Sequence, residues 1–523
     1  MINDSNLLEK VTQLETENSK LKAEIAKLKI LNNWYLEQIR LAAHRRFGQS
    51  SEQTVLNQLG LFNEAEVTAD DAPEETVTYK RKKRVGKREE FFEGLPTEQT
   101  IHELPENERI CPKCGGPLHA CGHEVLRREV KVIPARISAE EHIQTVYGCY
   151  NCDKNGIEES PMIKSDVPAP VIPNSGMASP GLPAFILCNK YVLALPLYRQ
   201  EQEFKRAGIH IPRQNMANWM IFAAMRRLLP IYILLQAYLL ENDILHTDET
   251  TLQVIKEAGR KAAQKSYMWI YQTGKDAKNQ VVLFEYTQTR EGKHPQNFLE
   301  GFSGWLHVDA YIGYKAPEDK GVILVECYTH CRRGFDEALK ALPKADRQNA
   351  AANIGIDYCN QLFKLESIYE EMELEPEKRA RWRELLSKPI AEAFFAWAES
   401  MLPKALPKSK FGQAVGYAVN QKHWLMNFFL DGRLEISNNR AENKIRPFII
   451  GRNNRMFSFS PKGAKASAIA YSIVETAQLN GLVPSLYLKF LFETLPNIPK
   501  ERYAECLPWS PKAQELCKIP TIK

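Results

Sequence analysis

Three carboxylates offer the chain's most promising chemistry. Asp248 closes the apolar run of ILHTDET, and Asp309 follows the apolar stretch of GWLHVDAYIGY, so both are expected near strand ends. Adjacent strands lie about 4.8 Å apart, close enough for two such carboxylates to share cations. Glu442 is the one carboxylate of NNRAENKIRP, Asn438 to Pro447, among asparagines, arginines and a lysine. A solvated helix face could carry it for solubility alone. A third ligand beside the aspartates would instead have Arg440, Lys444, Arg446, Arg452 and Arg455 offsetting phosphate charge around it. Asn438 and Asn439 either cap the following helix or bond to DNA, and capping is the favoured expectation because asparagine is common at helix starts.

A second constellation is built for a different ion. Cys111 and Cys114 form one CPKC knuckle, Cys149 and Cys152 form another in CYNC, and 34 residues separate the pairs. Two residues between thiolates let a tight turn aim both at one ion, so the four fit a tetrahedral structural Zn²⁺ site. The intervening EVLRREVKVIPARI alternates like a strand, as a small ribbon would. His119, Cys121 and His123 lie close enough in sequence to substitute as ligands.

These groups must be held by separate elements. The chain has 523 residues, enough for several cores, with 44% hydrophobic and 25% charged residues, a globular balance. No uninterrupted apolar run approaches the roughly 20 residues of a bilayer span, and MINDSNLLEK lacks a secretory pattern. Cytoplasmic residence with mostly reduced cysteines is therefore expected, with no membrane partner. The formal net charge of +5 is too slight to identify nucleic acid, so any such argument must rest on local charge.

Local charge and periodicity divide the chain. Leu7, Leu14, Leu21 and Leu28 recur every seven residues with Val11, Asn18, Ile25 and Asn32 in the other seam, which predicts a coiled coil and a homodimer. After it comes an acidic stretch, 63–75, and then KRKKRVGKR, which holds seven basic side chains in nine positions, Arg81, Lys82, Lys83 and Arg84 among them. Such a run binds DNA phosphates nonspecifically or is a solvated tail neutralised by the acidic run. Further on, a helix ending at Gly208 and another starting near Pro212 have helix-turn-helix order, with Arg213, Gln214, Asn215 and Asn218 at the reading position. Plain helical packing has the same spacing. Strands are expected at YMWIYQ, VVLFEY and GVILVECYTH, the last leading to Arg332 and Arg333, which face phosphate or solvent. Amphipathic stretches with proline breaks follow as a helical insertion, and the tail past Pro461 reads as two helices whose Tyr487 and Phe490 are core contacts.

The order zipper, cysteine ribbon, helical segment, HTDET, HVDAYIGY and DGRLEISNNRAENKIRPFIIGRNNRMF resembles the TnpC-type transposases of bacterial insertion sequences across nearly the whole chain. That resemblance implies a multidomain α/β protein: zipper 1–45, charged linker 46–104, zinc ribbon 105–160, helical DNA-binding region 165–240, a ribonuclease-H-like mixed-sheet catalytic core in 241–345 and 431–460, helical insertion 346–430, and C-terminal helices 461–523. It implies a catalytic triad of Asp248, Asp309 and Glu442, with Glu249 and Glu435 outside it. Mg²⁺, or Mn²⁺ in its place, would serve cleavage at the element's ends and strand transfer into target DNA, with Asp248 bridging two ions. The implied partners are the terminal inverted repeats, target DNA and accessory proteins from the same element. A metal-dependent nuclease without strand transfer and an inactive DNA-binding protein are the alternatives.

Overall fold

A computed structural model of the chain describes residues 137–147, 163–173, 177–318 and 320–520. The expected zipper, linker, basic run and all four zinc-ribbon cysteines lie outside the described residues. Among the described residues, 168–518 form one compact unit and the remainder belong to a second. In that second unit β1 (Val146–Tyr147) pairs antiparallel with β2 (Ile163–Lys164), and Cys149 and Cys152 fall in sequence between them.

The larger unit starts with helices set by their punctuation. Pro196 and Pro212 hold the extended N-cap positions before the helices that start at Leu197 and Arg213, and Gly208 takes φ +84° in the turn between them. α1 spans Gly181–Tyr191, α2 Leu197–Arg206, and α3 runs Arg213–Leu240. α3 is long and apolar enough to cross a membrane by length and composition. Arg226 and Arg227 interrupt its apolar run, and Met216, Met220, Ala224, Leu228, Ile231, Leu235 and Leu239 line up in the protein core. A π-helical stretch, Ala223–Leu228, precedes Pro230, which has no N–H to continue an ordinary ladder.

α3 delivers the chain to a five-stranded sheet of order β5-β4-β3-β6-β7. The strands are β3 (Ile244–Gln253), β4 (Lys265–Thr273), β5 (Val282–Thr287), β6 (Trp305–Val308) and β7 (Ile323–Glu326). β3 is antiparallel to β4 along its whole length but parallel to β6 only through Ile244, Leu245 and His246. Asp248 therefore stands mid-strand, not at a strand end. What ends there is the parallel partner, so beyond His246 one edge of β3 opens.

The opposite edge of the sheet is closed by side chains. α9 (Pro461–Leu479) lies along β5, where Ser472 Oγ accepts from Phe284 N at 2.7 Å and Thr476 Oγ1 accepts from Val282 N at 3.1 Å. Those hydroxyls satisfy an edge that would otherwise present free amides. After β7 come α4 (Tyr328–Ala341), which precedes the segment 346–430 expected as a helical insertion, and, within that segment, α5 (Ala352–Glu371), α6 (Lys388–Met401) and α7 (Lys410–Asn420); they pack around Phe335, Phe394 and Val415. α8 (Asn439–Arg455) returns to β3. Gly451 in α8 sits where a Cβ would come within 2.3 Å of the Tyr471 hydroxyl on α9, so only glycine permits this approach. The tail holds α10 (Pro484–Thr494) with Tyr487 and Phe490 buried, as expected. It also holds a short further helix at Pro511–Cys517, one more than the two expected, where the sequence PKAQELC is too brief to show periodicity.

Candidate active site

The two aspartates meet through strand register. Ile244, Leu245 and His246 face Trp305, Leu306 and His307, and the same register carried two residues further sets Asp309 opposite Asp248. Asp309 directly follows the short strand, and its Oδ1 accepts from Tyr311 N at 3.0 Å, which fixes the carboxylate at the turn. Asp248 Oδ1 accepts from Glu249 N at 2.8 Å.

Glu442 is brought to them by a strap at the start of α8. Asn438 Nδ2 donates to the Thr247 carbonyl at 2.7 Å, while its Oδ1 lies 3.0 Å from His246 Nδ1. Its backbone N–H points at Cys327 Sγ, 3.1 Å away. Asn438 occupies the N-cap position, yet its side chain makes no capping bond, so the expected role is replaced: the amide is spent on β3. One helical turn later Glu442 emerges beside Asp248. Upstream, Arg383, 1% exposed, pairs with Glu366 at 2.8 and 2.6 Å. Its guanidinium also donates to the carbonyls of Asp431 at 3.0 Å and Leu434 at 2.8 Å, tethering the segment that leads into α8.

Electrostatics separate the carboxylates. Burial first, then repulsion from Glu249 and Asp309 and more weakly Glu442, pushes Asp248 well above the usual carboxylate range, against its backbone hydrogen bond. Glu249, its neighbour on the other face of β3, is bound by Arg290 and by the Tyr314 hydroxyl. Burial would also raise Glu435, but bonds from His246 and Arg440 outweigh it and hold this carboxyl well below the ordinary range. Glu249 and Glu435 thus each spend their oxygens on two partners. Glu442 differs, because its Oε1 is buried with no hydrogen-bond partner. Asp248, Asp309 and Glu442 carry the oxygen ligands that hard divalent cations take, although Glu442 stands within 4.8 Å of Cys327 and His330 and Asp309 has Arg290 at 3.9 Å.

The basic residues sort differently from expectation. Arg440 bonds Glu435 at 2.8 Å, Lys444 bonds Glu475 at 3.2 Å, Arg452 bonds Thr250 Oγ1 at 3.0 Å, and Arg455 bonds the Tyr471 hydroxyl at 3.1 Å. Lys444, Arg452 and Arg455 fasten α8 to β3 and to α9, while Arg440 ties its first turn to the segment leading into it. Arg446 is exposed, and Arg333, also exposed, reaches to 3.5 Å from Glu442 Oε2. Arg332 bonds Asn360 at 2.7 Å. Arg213, Gln214, Asn215 and Asn218 share the exposed face of α3's first turns, opposite Met216, Trp219 and Met220.

Sequence reasoning missed three contributors. His246 and His307 stack at 4.1 Å in the buried register pair beneath the aspartates. Burial and the neighbouring His246 drive the pKa of His307 well down, leaving a neutral ring. Glu326, the last residue of β7, is buried and accepts from the Tyr417 hydroxyl at 3.0 Å. Burial raises its carboxyl to about 8, helped by Asp309 and opposed by Tyr417. His246 and His307 had a signal, since each sits two residues before its aspartate. Glu326 had none that separates it from a surface glutamate.

The sheet order, the switch from antiparallel to parallel pairing at β3 and the helix-borne glutamate after an insertion define a ribonuclease-H-like fold with a carboxylate site. The family profile described as Transposase IS66 family matches residues 175–466, and the chain belongs to that family. Three further profiles match: the zinc-finger binding domain of transposase IS66 at 108–153, the IS66 C-terminal element at 472–509, and one described as transposase C of IS166 homeodomain at 34–99. Among curated relatives, the uncharacterized protein y4hP of Sinorhizobium fredii is 26% identical, over 88% of this chain and 86% of its own. The uncharacterized protein y4jD of the same organism is 27% identical over 97% of both chains. Among solved structures, the Drosophila P element transposase strand transfer complex matches 57% of this chain and 92% of its own at 12% identity, with a TM-score of 0.30. At that TM-score the likeness supports nothing further here.

Proposed function

We propose that this chain cleaves DNA at the ends of its insertion sequence and transfers the liberated strand into target DNA, with Asp248, Asp309 and Glu442 as the catalytic carboxylates. The observation that carries the reading is the strap at Asn438, which docks the Glu442 helix onto the β3 carbonyl immediately before Asp248, where register also sets Asp309. Two Mg²⁺ ions, or Mn²⁺, held there would supply activation of the attacking oxygen and stabilisation of the leaving oxygen in an in-line displacement. The protein's own part is placement. Asp248, Asp309 and Glu442 would hold the ions, and the stacked, buried rings of His246 and His307 lie in the register pair beneath the aspartates. Arg333 and Arg446 face the phosphates around the site.

The rest of the chain serves DNA and assembly. Arg213, Gln214 and Asn215 on the exposed start of α3 read terminal inverted repeats, Arg332 and the run Arg81 to Arg84 add phosphate contacts, and the zipper over 1–45 makes a homodimer. Cys111, Cys114, Cys149 and Cys152 hold structural Zn²⁺ in a ribbon at 105–160. The sequence segments 165–240, 241–345, 346–430, 431–460 and 461–523 act as reader, first part of the catalytic core, insertion, end of the core and C-terminal support within one compact unit. Accessory proteins of the same element join the complex in the cytoplasm.

The test is strand transfer from a labelled duplex carrying the element end, in Mg²⁺, with the parent beside Asp248→Asn, Asp309→Asn and Glu442→Gln. Joined product from the parent alone is the expected result. Cleavage without joining, with accessory proteins supplied, would transfer the assignment to a nuclease.

A further inference from the structure

One cluster beside the carboxylates has the wrong chemistry for Mg²⁺. Cys327, His330 and Glu442 offer a sulfur, a ring nitrogen and a carboxylate oxygen that all lie within 4.8 Å of one another. Cys327 is the buried N-cap of α4, and His330 sits one turn into that helix, so a spacing of three residues aims both side chains at the Glu442 turn of α8. His330 Nδ1 stands 3.8 Å from Glu442 Oε1. That is too far for a hydrogen bond. Both atoms are nonetheless buried, and neither has any hydrogen-bond partner.

Two unsatisfied polar atoms facing across such a gap are the arrangement a shared ion relieves. Nitrogen and oxygen ligands of tetrahedral Zn²⁺, with bonds of about 2.0–2.1 Å, stand about 3.3–3.4 Å apart, so a closure of a few tenths of an ångström completes the pair. Sulfur and imidazole favour a borderline dication of the zinc kind, whereas Mg²⁺ keeps to oxygen. Three protein ligands leave a fourth position for water. Arg333 opposes a cation there, its Nη2 3.5 Å from Glu442 Oε2, but its side chain is 48% exposed and can withdraw into solvent.

We propose that Cys327, His330 and Glu442 form an inhibitory Zn²⁺ site that competes with the catalytic Mg²⁺ for the Glu442 carboxylate. Ligation takes Cys327 as the thiolate, its proton passing to solvent, and turns Glu442 toward α4. The binding half stands on the trio alone; the inhibitory half rests on the reading of Glu442 as a catalytic ligand.

The test uses the full chain, reduced and stripped of metal, titrated with Zn²⁺ for stoichiometry and with Co²⁺ for the thiolate charge-transfer and tetrahedral d–d bands. The parent is expected to hold one equivalent more than Cys327→Ser and His330→Ala, and Cys111→Ser/Cys114→Ser is expected to keep that equivalent while losing the ribbon's. Circular dichroism checks each fold, and His330→Ala, altering a ring that is 25% exposed, keeps the test decisive should Cys327→Ser misfold. Equal stoichiometry in a folded His330→Ala overturns the site. In strand transfer, low Zn²⁺ is expected to inhibit the parent at least tenfold and excess Mg²⁺ to relieve it; binding without such inhibition overturns the competition. Loss of the equivalent in both variants from a parent that never joins DNA supports the site and counts against the transposition reading.

Discussion

Two levels of β3, two residues apart, treat negative charge in opposite ways. At His246, Glu435 approaches an imidazole and the Arg440 guanidinium, and its carboxyl is held far down. At Asp248, the carboxylates of Glu249, Asp309 and Glu442 crowd together and push the aspartate up. The lower level spends charge on holding the fold; at the upper level Arg290 binds Glu249, while Asp248 is raised by burial and by its acidic neighbours, a crowding that a bound cation or a proton relieves. An acidic residue's neighbours, not its type, thus separate a fastener from a ligand.

Breaking the upper level should abolish chemistry and spare the fold. Asp248→Asn, Asp309→Asn and Glu442→Gln are each expected to lower strand transfer by at least about 10²-fold. Asp248→Asn should also melt higher than the parent in metal-free buffer, because it removes a buried, repelled charge; a lower melting temperature would contradict the crowding. Breaking the fasteners should do the reverse. Arg383→Ala leaves Glu366 unpaired and two carbonyls unsatisfied, a loss of roughly 3–5 kcal/mol in denaturant unfolding. Glu435→Ala should cost about 2–4 kcal/mol by the same logic, with any loss of activity tracking the loss of folded protein.

The pH dependence sharpens the contrast further. Glu285 and Glu326 have folded-state values raised to about 7 and about 8 by burial. Their contribution to stability is complete below the unfolded carboxylate pKa and is lost as pH rises through those values. Glu435 has a depressed value, so its contribution is present above the unfolded pKa and is lost as pH falls toward strong acid. Melting temperature should therefore decline from about pH 4.5 to about pH 8, and Glu326→Gln should flatten that decline, most visibly above pH 7 where Glu326 alone still titrates, by roughly 1–3 kcal/mol. The smallest expected effect is at the sheet edge: Ser472→Ala removes the acceptor for Phe284 N and should cost about 1 kcal/mol.

Much of the site was legible because chemistry and periodicity coincide there. Apolar runs ending in Asp248 and Asp309 announce strands, and the triad came with the resemblance. The mid-strand position of Asp248 was hidden because TTLQ after it is polar, yet it continues β3 by pairing with β4. Asn438 read as a cap since local sequence shows helix starts and not the strand that competes for the amide. The four arginines and lysines of α8 that became fasteners could not be told from phosphate ligands, because Glu435, Glu475 and Tyr471 reach them only through tertiary packing.

The Asn438 strap also sets a clock. It joins positions 191 residues apart, so the helix carrying the third carboxylate cannot dock until the whole insertion has been made. β6 ends 130 residues before Asn438, so at about 5–20 residues per second a ribosome leaves an interval of roughly 7–26 s in which β3 and β6 exist without it. During that interval the nascent chain carries an incomplete blade.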